Sequence, residues 1–263
     1  MSEDRVSVAE RAARAGAEVA LAAFRTGIDV ETKSGKTDVV TQADRDAQRR
    51  VIEVIRETHP EDAVVGEEED ELKSVPESGA AWVIDPIDGT NNFVRDTPVW
   101  ATSVAAVKDG ETLAAVNVLP ALGDVYVAGD GEVTRNGDAM SVSAKTDPET
   151  FAVVPTIWWG FDEREEYARA CRAIVERFAD MRRYGCAQAV LSMVASGQLE
   201  GAVTNVDVNP WDSVAGVHLV RRAGGVVTDV HGDRWQPGSH GLVASNGEAH
   251  DVVLEAAREI ESA

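Results

Sequence analysis

Lysine is scarce in this chain. Five lysines accompany 20 arginines, and these 25 basic residues face 46 acidic ones, giving a net charge of −21. So negative a surface repels phosphate backbones and anionic lipid, so neither nucleic acid nor a membrane is expected as a partner. Such charge suits high ionic strength, where screening shortens self-repulsion, and a salt-adapted protein is the expectation, with an ordinary acidic surface as the alternative. Cysteine is equally rare. Cys171 and Cys186 form no CxxC pair and no zinc-ligand pattern with histidine, so two free thiols are expected rather than a disulfide framework. No apolar run reaches the roughly 18 to 20 residues that span a bilayer. The opening MSEDRVSVAERAARAGAEVALAAF reads as an amphipathic helix with early acidic residues and lacks the basic start of a signal peptide. A soluble, cytoplasmic protein is expected. The histidines at 59, 218, 231, 240 and 250 form no ligand cluster in the sequence, and GxxxxGK, GxSxG and HExxH motifs are all missing.

What is present divides into two kinds of segment. Helical spacing runs from Glu3 to Arg25, and Thr41-Gln42-Ala43-Asp44 reads as a capping box before a second helix towards His59-Pro60. Its apolar face is expected to include Val51, Val54, Ile55 and Thr58. Strand-like runs follow at 63–65, 81–84, 102–107, 113–118 and 125–128, separated by Asp-Gly, Gly-Asp and Pro turns, which predicts an antiparallel meander. From about residue 150 helices are expected at 163–178, 187–196, 211–223 and 248–260, with short strands near Val203, Val226 and Leu242. The expected architecture is α+β and layered. A half at 1–145 carries most of the acidic motifs and packs tightly on a half at 146–263.

Three acidic sites interrupt apolar segments. Val64-Val65-Gly66 runs into Glu67 to Glu71, Val83-Ile84 into Asp85-Pro86-Ile87-Asp88, and Asn209-Pro210-Trp211 into Asp212. Separately, these read as a solvated loop, a turn and a helix cap. Together they supply hard oxygen ligands from separate segments, as a magnesium site requires, because an ionised carboxylate at the end of a buried strand is costly without a partner. Proline in DPIDGT removes a donor and leaves the Ile87 carbonyl available as a ligand. Gly89 permits close backbone approach to an anion, and Thr90 adds a hydroxyl at a helix start. A phosphate ligand fits a chain of this charge only if divalent ions reverse the local sign.

These residues resemble the inositol monophosphatase family. Val65-Gly66-Glu67-Glu68, Asp85 to Thr90 with Asn92-Phe93, and Trp211-Asp212 with Ala215-Gly216 and Ala223-Gly224-Gly225 carry the likeness. Asp38 to Thr41 with Asp44, Asn136-Gly137, Ser141-Val142-Ser143 and Ala244-Ser245-Asn246 extend it along almost the whole chain. The resemblance implies a layered α-β-α-β-α sandwich of the sugar phosphatase type, antiparallel in its first sheet and mixed in a smaller second one. It also implies a lithium-sensitive phosphomonoesterase, a homodimer, that uses two or three Mg2+ ions, with Mn2+ as a substitute. Glu67, Asp85 and the Ile87 carbonyl would hold one ion and Asp85, Asp88 and Asp212 another, while a third would lean on Glu67. Thr90 with Asp44 would orient and deprotonate the attacking water. The backbone of Gly89 and Thr90 would hold phosphate, and Asp212 would assist the leaving group.

Departures from the family pattern fall on substrate choice. Gly185-Cys186-Ala187 stands where a hydroxyl residue is usual between glycine and alanine, and Asn205 stands where inositol-preferring members carry a glutamate. Arg182 and Arg183 are placed to reach a second phosphate, or are a surface pair. Lys33 and Lys36 are candidates to close over the metals, and Trp158-Trp159 to line the substrate mouth, with exposed turn and core packing as the alternatives. The expected substrate is a small sugar or cyclitol phosphate, inositol 1-phosphate or fructose 1,6-bisphosphate. The alternatives are a 3′-phosphonucleotide or nicotinamide dinucleotide phosphate phosphatase and an inactive phosphate-binding regulator.

Overall fold

Alanine dominates the buried stripe of the first helix, α1 (Arg5–Ala23), where Val8, Ala9, Ala12, Ala13 and Ala17 carry almost no exposed area. Such small side chains let a second helix approach closely. A Cβ added at Gly16 would lie 2.5 Å from Val51 Cγ2, so this crossing requires glycine. The computed structural model describes residues 4–27, 30–32, 39–68, 71–157 and 159–261. A short antiparallel pair, β1 (Val30–Thr32) and β2 (Val39–Thr41), precedes α2 (Gln42–Arg56). Thr41 and Asp44 form the reciprocal capping box foreseen from the sequence, satisfying orphan donors at the start of α2. Val51, Val54 and Ile55 are buried, whereas Thr58 lies beyond the helix end and is exposed.

The large sheet has seven strands in chain order: β3 (Ala63–Gly66), β4 (Ala80–Asp88), β5 (Ala101–Lys108), β6 (Glu111–Leu119), β7 (Asp124–Ala128), β8 (Thr134–Arg135) and β9 (Asp138–Ala139). A one-turn helix, α3 (Thr90–Phe93), follows β4. From β4 onwards the sheet is the expected antiparallel meander, but β3 pairs with β4 in parallel. The sheet is therefore mixed. Parallel pairing also brings the ends of β3 and β4 out at the same edge, so Glu67 and Asp85 emerge side by side.

In the second half, β10 (Val153–Pro155) leads to α4 (Arg164–Arg177) and α5 (Ala187–Ala195), then to β11 (Gly201–Thr204), α6 (Pro210–Arg222), β12 (Val226–Thr228), β13 (Leu242–Ser245) and α7 (His250–Glu261). The smaller sheet has the order β10-β11-β13-β12, with β10 and β11 parallel and the other pairs antiparallel. Its edge strand β10 was not foreseen.

Alternation along the strands produces the layers, since neighbouring residues point to opposite faces. Trp82, Ile84, Val104 and Val116 pack under α1 and α2, while Val83, Ala105 and Leu119 face α5 and α6. The same middle helices meet Ala202 and Ala244 on the near face of the small sheet. Val203 and Val243 cover its far face together with Ile174 of α4 and Val253 of α7. Helix, sheet, helix, sheet, helix is the resulting order. The middle layer decides function, because α5 and α6 bring their N-termini towards the ends of β3 and β4.

Candidate metal and phosphate site

The stretch expected to interrupt a strand continues it. β4 runs through Asp85-Pro86-Ile87-Asp88, with a register shift against β5 between Asp85 and Asp88. Proline is tolerated there because the irregularity removes the need for its missing N–H. The Pro86 carbonyl accepts from Thr102 Oγ1 at 2.8 Å, and the Ile87 N–H donates to Asp85 Oδ1 at 3.0 Å. The Ile87 side chain is anchored in a cluster with Phe93, Trp100, Ala20 and Ala47. Gly89, at φ 88°, turns the chain into α3. A side chain here would strain the backbone and bring its Cβ to 3.0 Å from Cys186 Cβ and 3.1 Å from the Gly185 carbonyl.

Asp88 is held by the start of α5. Its Oδ2 accepts from the Gln188 amide at 2.5 Å and from Cys186 Sγ at 3.1 Å, with a further bond from the Ala187 amide. The positive end of a helix suits an anion. Burial nevertheless pushes the Asp88 carboxyl up to about 6, with the charge of Glu67 adding to the rise and these three donors opposing it. Cys186 also caps α5 by accepting from the Ala189 amide, and its own thiol is raised by burial and by Asp88.

Asp85 is less well satisfied. It is 1% exposed, and its Oδ2 has no hydrogen-bond partner among the described residues. Burial first, then the charges of Glu67, Asp88, Asp212 and Asp44, drive its carboxyl well above the usual range. Asp212, in the first turn of α6, accepts from Asn209 Nδ2 at 3.1 Å. One oxygen from each of Asp85, Asp88 and Asp212 falls within 4.8 Å of the others. Three like charges converging around an orphaned buried oxygen are costly unless a cation joins them, so hard oxygen donors of this kind fit a divalent metal. Glu67 directly follows β3, and its charge is the largest neighbouring one acting on Asp85. Gln48 on α2 braces this turn, donating to the Glu68 carbonyl at 2.7 Å and accepting from the Glu68 amide at 3.0 Å.

Thr90 links this edge to α2. Its Oγ1 lies 3.0 Å from the Ile87 carbonyl and 3.3 Å from Asp44 Oδ1. Oδ2 of Asp44 is occupied by the Thr41 amide at 2.8 Å and the Thr41 hydroxyl at 2.6 Å, so the carboxylate that caps α2 also faces Thr90.

Thus Asp44, Glu67, Asp85, Ile87, Asp88, Gly89, Thr90, Cys186, Ala187 and Asp212 are gathered at one edge. Gly185, at φ 74°, sits against Asn92, whose Nδ2 donates to the Tyr184 and Val99 carbonyls. Three other candidates hold partners within the chain. Arg182 is exposed and pairs with Asp180, while Arg183 donates to the Ile157 carbonyl. Asn205 is buried, accepts from Trp159 Nε1 at 2.8 Å and donates to Glu166 Oε2 at 2.6 Å. Asp38, Lys33, Lys36, Glu69, Asp70 and Trp158 lie outside the described residues.

Sequence reasoning missed Gln188. Fully buried, it takes Asn117 Nδ2 and the Gly216 amide on its Oε1 and gives its Nε2 to the Trp211 carbonyl. Its backbone holds Asp88 while its side chain ties down the residue preceding Asp212. A glutamine within an apolar helical stretch was the available signal.

Comparison with known proteins agrees along the full length. The model of the inositol monophosphatase family matches residues 1–262. The chain is 33% identical over 234 residues to a fructose-1,6-bisphosphatase/inositol-1-monophosphatase of Thermotoga maritima, covering 88% of this chain and 87% of that one. It is 32% identical to the Nus factor SuhB of Escherichia coli K12, with coverage of 95% and 94%. In structure, the Thermotoga maritima IMPase superimposes with a TM-score of 0.90 at 30% identity, covering 98% of both chains. An inositol monophosphatase from Anabaena gives 0.82 at 27% identity, covering 95% of this chain and 94% of that one.

Proposed function

The chain belongs to the inositol monophosphatase family, and from that premise we propose that it is a magnesium-dependent phosphomonoesterase acting on a sugar or cyclitol phosphate. The convergence of buried Asp85 and Asp88 with half-buried Asp212 carries this reading. Glu67, Asp85, the Ile87 carbonyl, Asp88 and Asp212 would hold the ions. When bound, Mg2+ supplies Lewis acidity that polarises the phosphoryl group and lowers the pKa of water.

The chain's own residues supply position and proton traffic. Thr90 Oγ1 orients the attacking water and passes a proton to Asp44 Oδ1, the acceptor 3.3 Å away. The backbone amides of Gly89 and Thr90 receive phosphate oxygens, because glycine leaves no side chain to block their approach. Asp212 assists protonation of the departing alkoxide. Gln188 keeps Asp88 and Asp212 in fixed relation, since its two ends bind both segments.

Inositol 1-phosphate and fructose 1,6-bisphosphate are the substrates favoured, and the double name of the Thermotoga maritima relative supports testing both. Asn205 bears on the choice. Its amide is committed to Trp159 and Glu166, and as a neutral side chain it offers a sugar no negative charge of its own. Homodimeric assembly and a cytoplasmic site of action belong to the same reading and have the family's likeness as their support.

Phosphate release from each substrate, with Mg2+ and with EDTA, tests the proposal. Turnover with magnesium that EDTA abolishes is expected. The Nus factor name of several relatives motivates a second, non-catalytic reading, which prevails if folded protein with magnesium releases no phosphate from either substrate.

A further inference from the structure

A sizeable cleft lies away from the carboxylates, at the other end of α6. About 640 Å³ in volume, it is bounded by the last turns of α6, the turn into β6 and the loop between β12 and β13. That size is ordinary for a small-molecule site. Its charge is the reverse of the chain's, for Arg221, Arg222 and Arg234 line it and Glu111 is the one carboxylate among the lining residues. The Arg234–Glu111 pair is loose, at 3.9 Å between exposed side chains. Arg221 donates to the Val227 and Trp235 carbonyls and Arg222 to those of Asp130 and Gly131, so carbonyl dipoles hold both guanidinium groups in place without cancelling their charge. The wall between them is apolar, formed by Val217, Val227 and the buried ring of Trp235.

The positive field outweighs the two carboxylates that act on it, Glu111 on Arg221 and Asp130 on His218. Burial and then the charge of Arg234 lower Arg221 to about 10, and burial with Arg222 and Arg221 lowers His218 on the same wall to about 4. Helix polarity favours cations at the end of α6, which accounts for Arg221 and Arg222. It does not account for Arg234, which reaches the cleft from another segment.

We propose that this cleft is a second anion site, separate from the carboxylate edge, that takes a small phosphate monoester with its phosphate on Arg222 and Arg234 and its organic body against Val217 and Trp235. Guanidinium forks match phosphate oxygens, and charge-assisted bonds of this kind are the strong ones. Glu111 then weakens binding by standing opposite the anion.

Calorimetric titration of the magnesium-loaded full chain with phenylphosphonate, which cannot be hydrolysed as an ester, tests this. Two sites per chain are expected, one of which survives Asp88→Asn. Arg222→Ala with Arg234→Ala should weaken that surviving site at least about tenfold while leaving turnover at the carboxylate edge unchanged. Arg234→Ala alone, at a side chain 70% exposed, should have the same direction of effect and keeps the test sound if the double variant melts early. Glu111→Gln should tighten binding about threefold. A single site in the parent chain that Asp88→Asn removes, or binding indifferent to all the arginine variants, overturns the proposal.

Discussion

The two ends of α6 face opposite electrostatic problems. At its N-terminus Asp212 joins two buried carboxylates that repel one another, and at its C-terminus Arg221 and Arg222 meet a third arginine across a cleft. Both arrangements follow helix polarity, so some of each charge is locally favoured. Both also exceed it, through Asp85 and Asp88 on one side and Arg234 on the other. The difference lies in burial. Asp85 and Asp88 are sunk at the end of a strand with half-buried Asp212 beside them, whereas two of the three arginines are exposed on a cleft large enough for an organic molecule.

Removing charge from the acidic end should have the largest effect. Asp88→Asn keeps the shape of the side chain and is expected to lower kcat by about a thousandfold or more, since it removes a ligand and part of the site's claim on metal. Steady-state assays checked by circular dichroism decide this; a folded, fully active variant breaks the metal assignment.

The two ends should also respond oppositely to pH. In metal-free protein Asp88 titrates near 6 in the folded state against 3.8 unfolded, so the folded state binds the extra proton. Stability from this group is present below pH 3.8 and is lost as pH rises through about 6, by on the order of 3 kcal/mol. His218 runs the other way. Its folded value of about 4 lies below 6.5, so its contribution is present above pH 6.5 and is lost as pH falls through about 4, again by on the order of 3 kcal/mol. The two contributions oppose each other between pH 4 and 7, so urea unfolding should show stability rising more steeply with pH in Asp88→Asn and falling with pH in His218→Gln, each relative to the parent. Equal profiles for parent and variants would erase the contrast.

Thr90→Val should lower kcat by about ten- to a hundredfold with little change in KM, because the hydroxyl acts on water rather than on the bound sugar. A matching rise in KM would move Thr90 from proton transfer to substrate binding. The smallest effect is expected at Cys186→Ser, which exchanges a thiol donor for a hydroxyl donor to Asp88 Oδ2 and should change kcat only about twofold. Cys186→Ala, lacking any donor, should cost more; the reverse order would show that the thiol does not position Asp88.

Local signals were legible in the sequence. The Thr41–Asp44 capping box, the apolar spacing of α1 and the alternation of β4 to β7 depend on neighbours a few residues apart, and the structure contains them. Pairing direction was not legible. β3 lies parallel to β4, and nothing in either strand's composition records it. Nor was the engagement of Asn205 with Trp159 and Glu166, 46 and 39 residues away, or of Arg182 with Asp180 in place of a ligand. Gln188 looked like one polar residue in an apolar helix until Asn117 and Gly216 were brought against it.

The sequence by itself determined the chemistry on offer: hard oxygen donors on three segments, a glycine and a threonine beside two of them, and an acidic chain that can hold phosphate only where cations reverse its sign. Tertiary structure decided which donors meet. Asp85, Asp88 and Asp212 converge because a parallel strand pair and two helix N-termini end at one edge, and the arginines converge because α6 also reaches the loop that carries Arg234. Electrostatic energy depends on separation and burial in space. Neither is written in the order of residues along the chain.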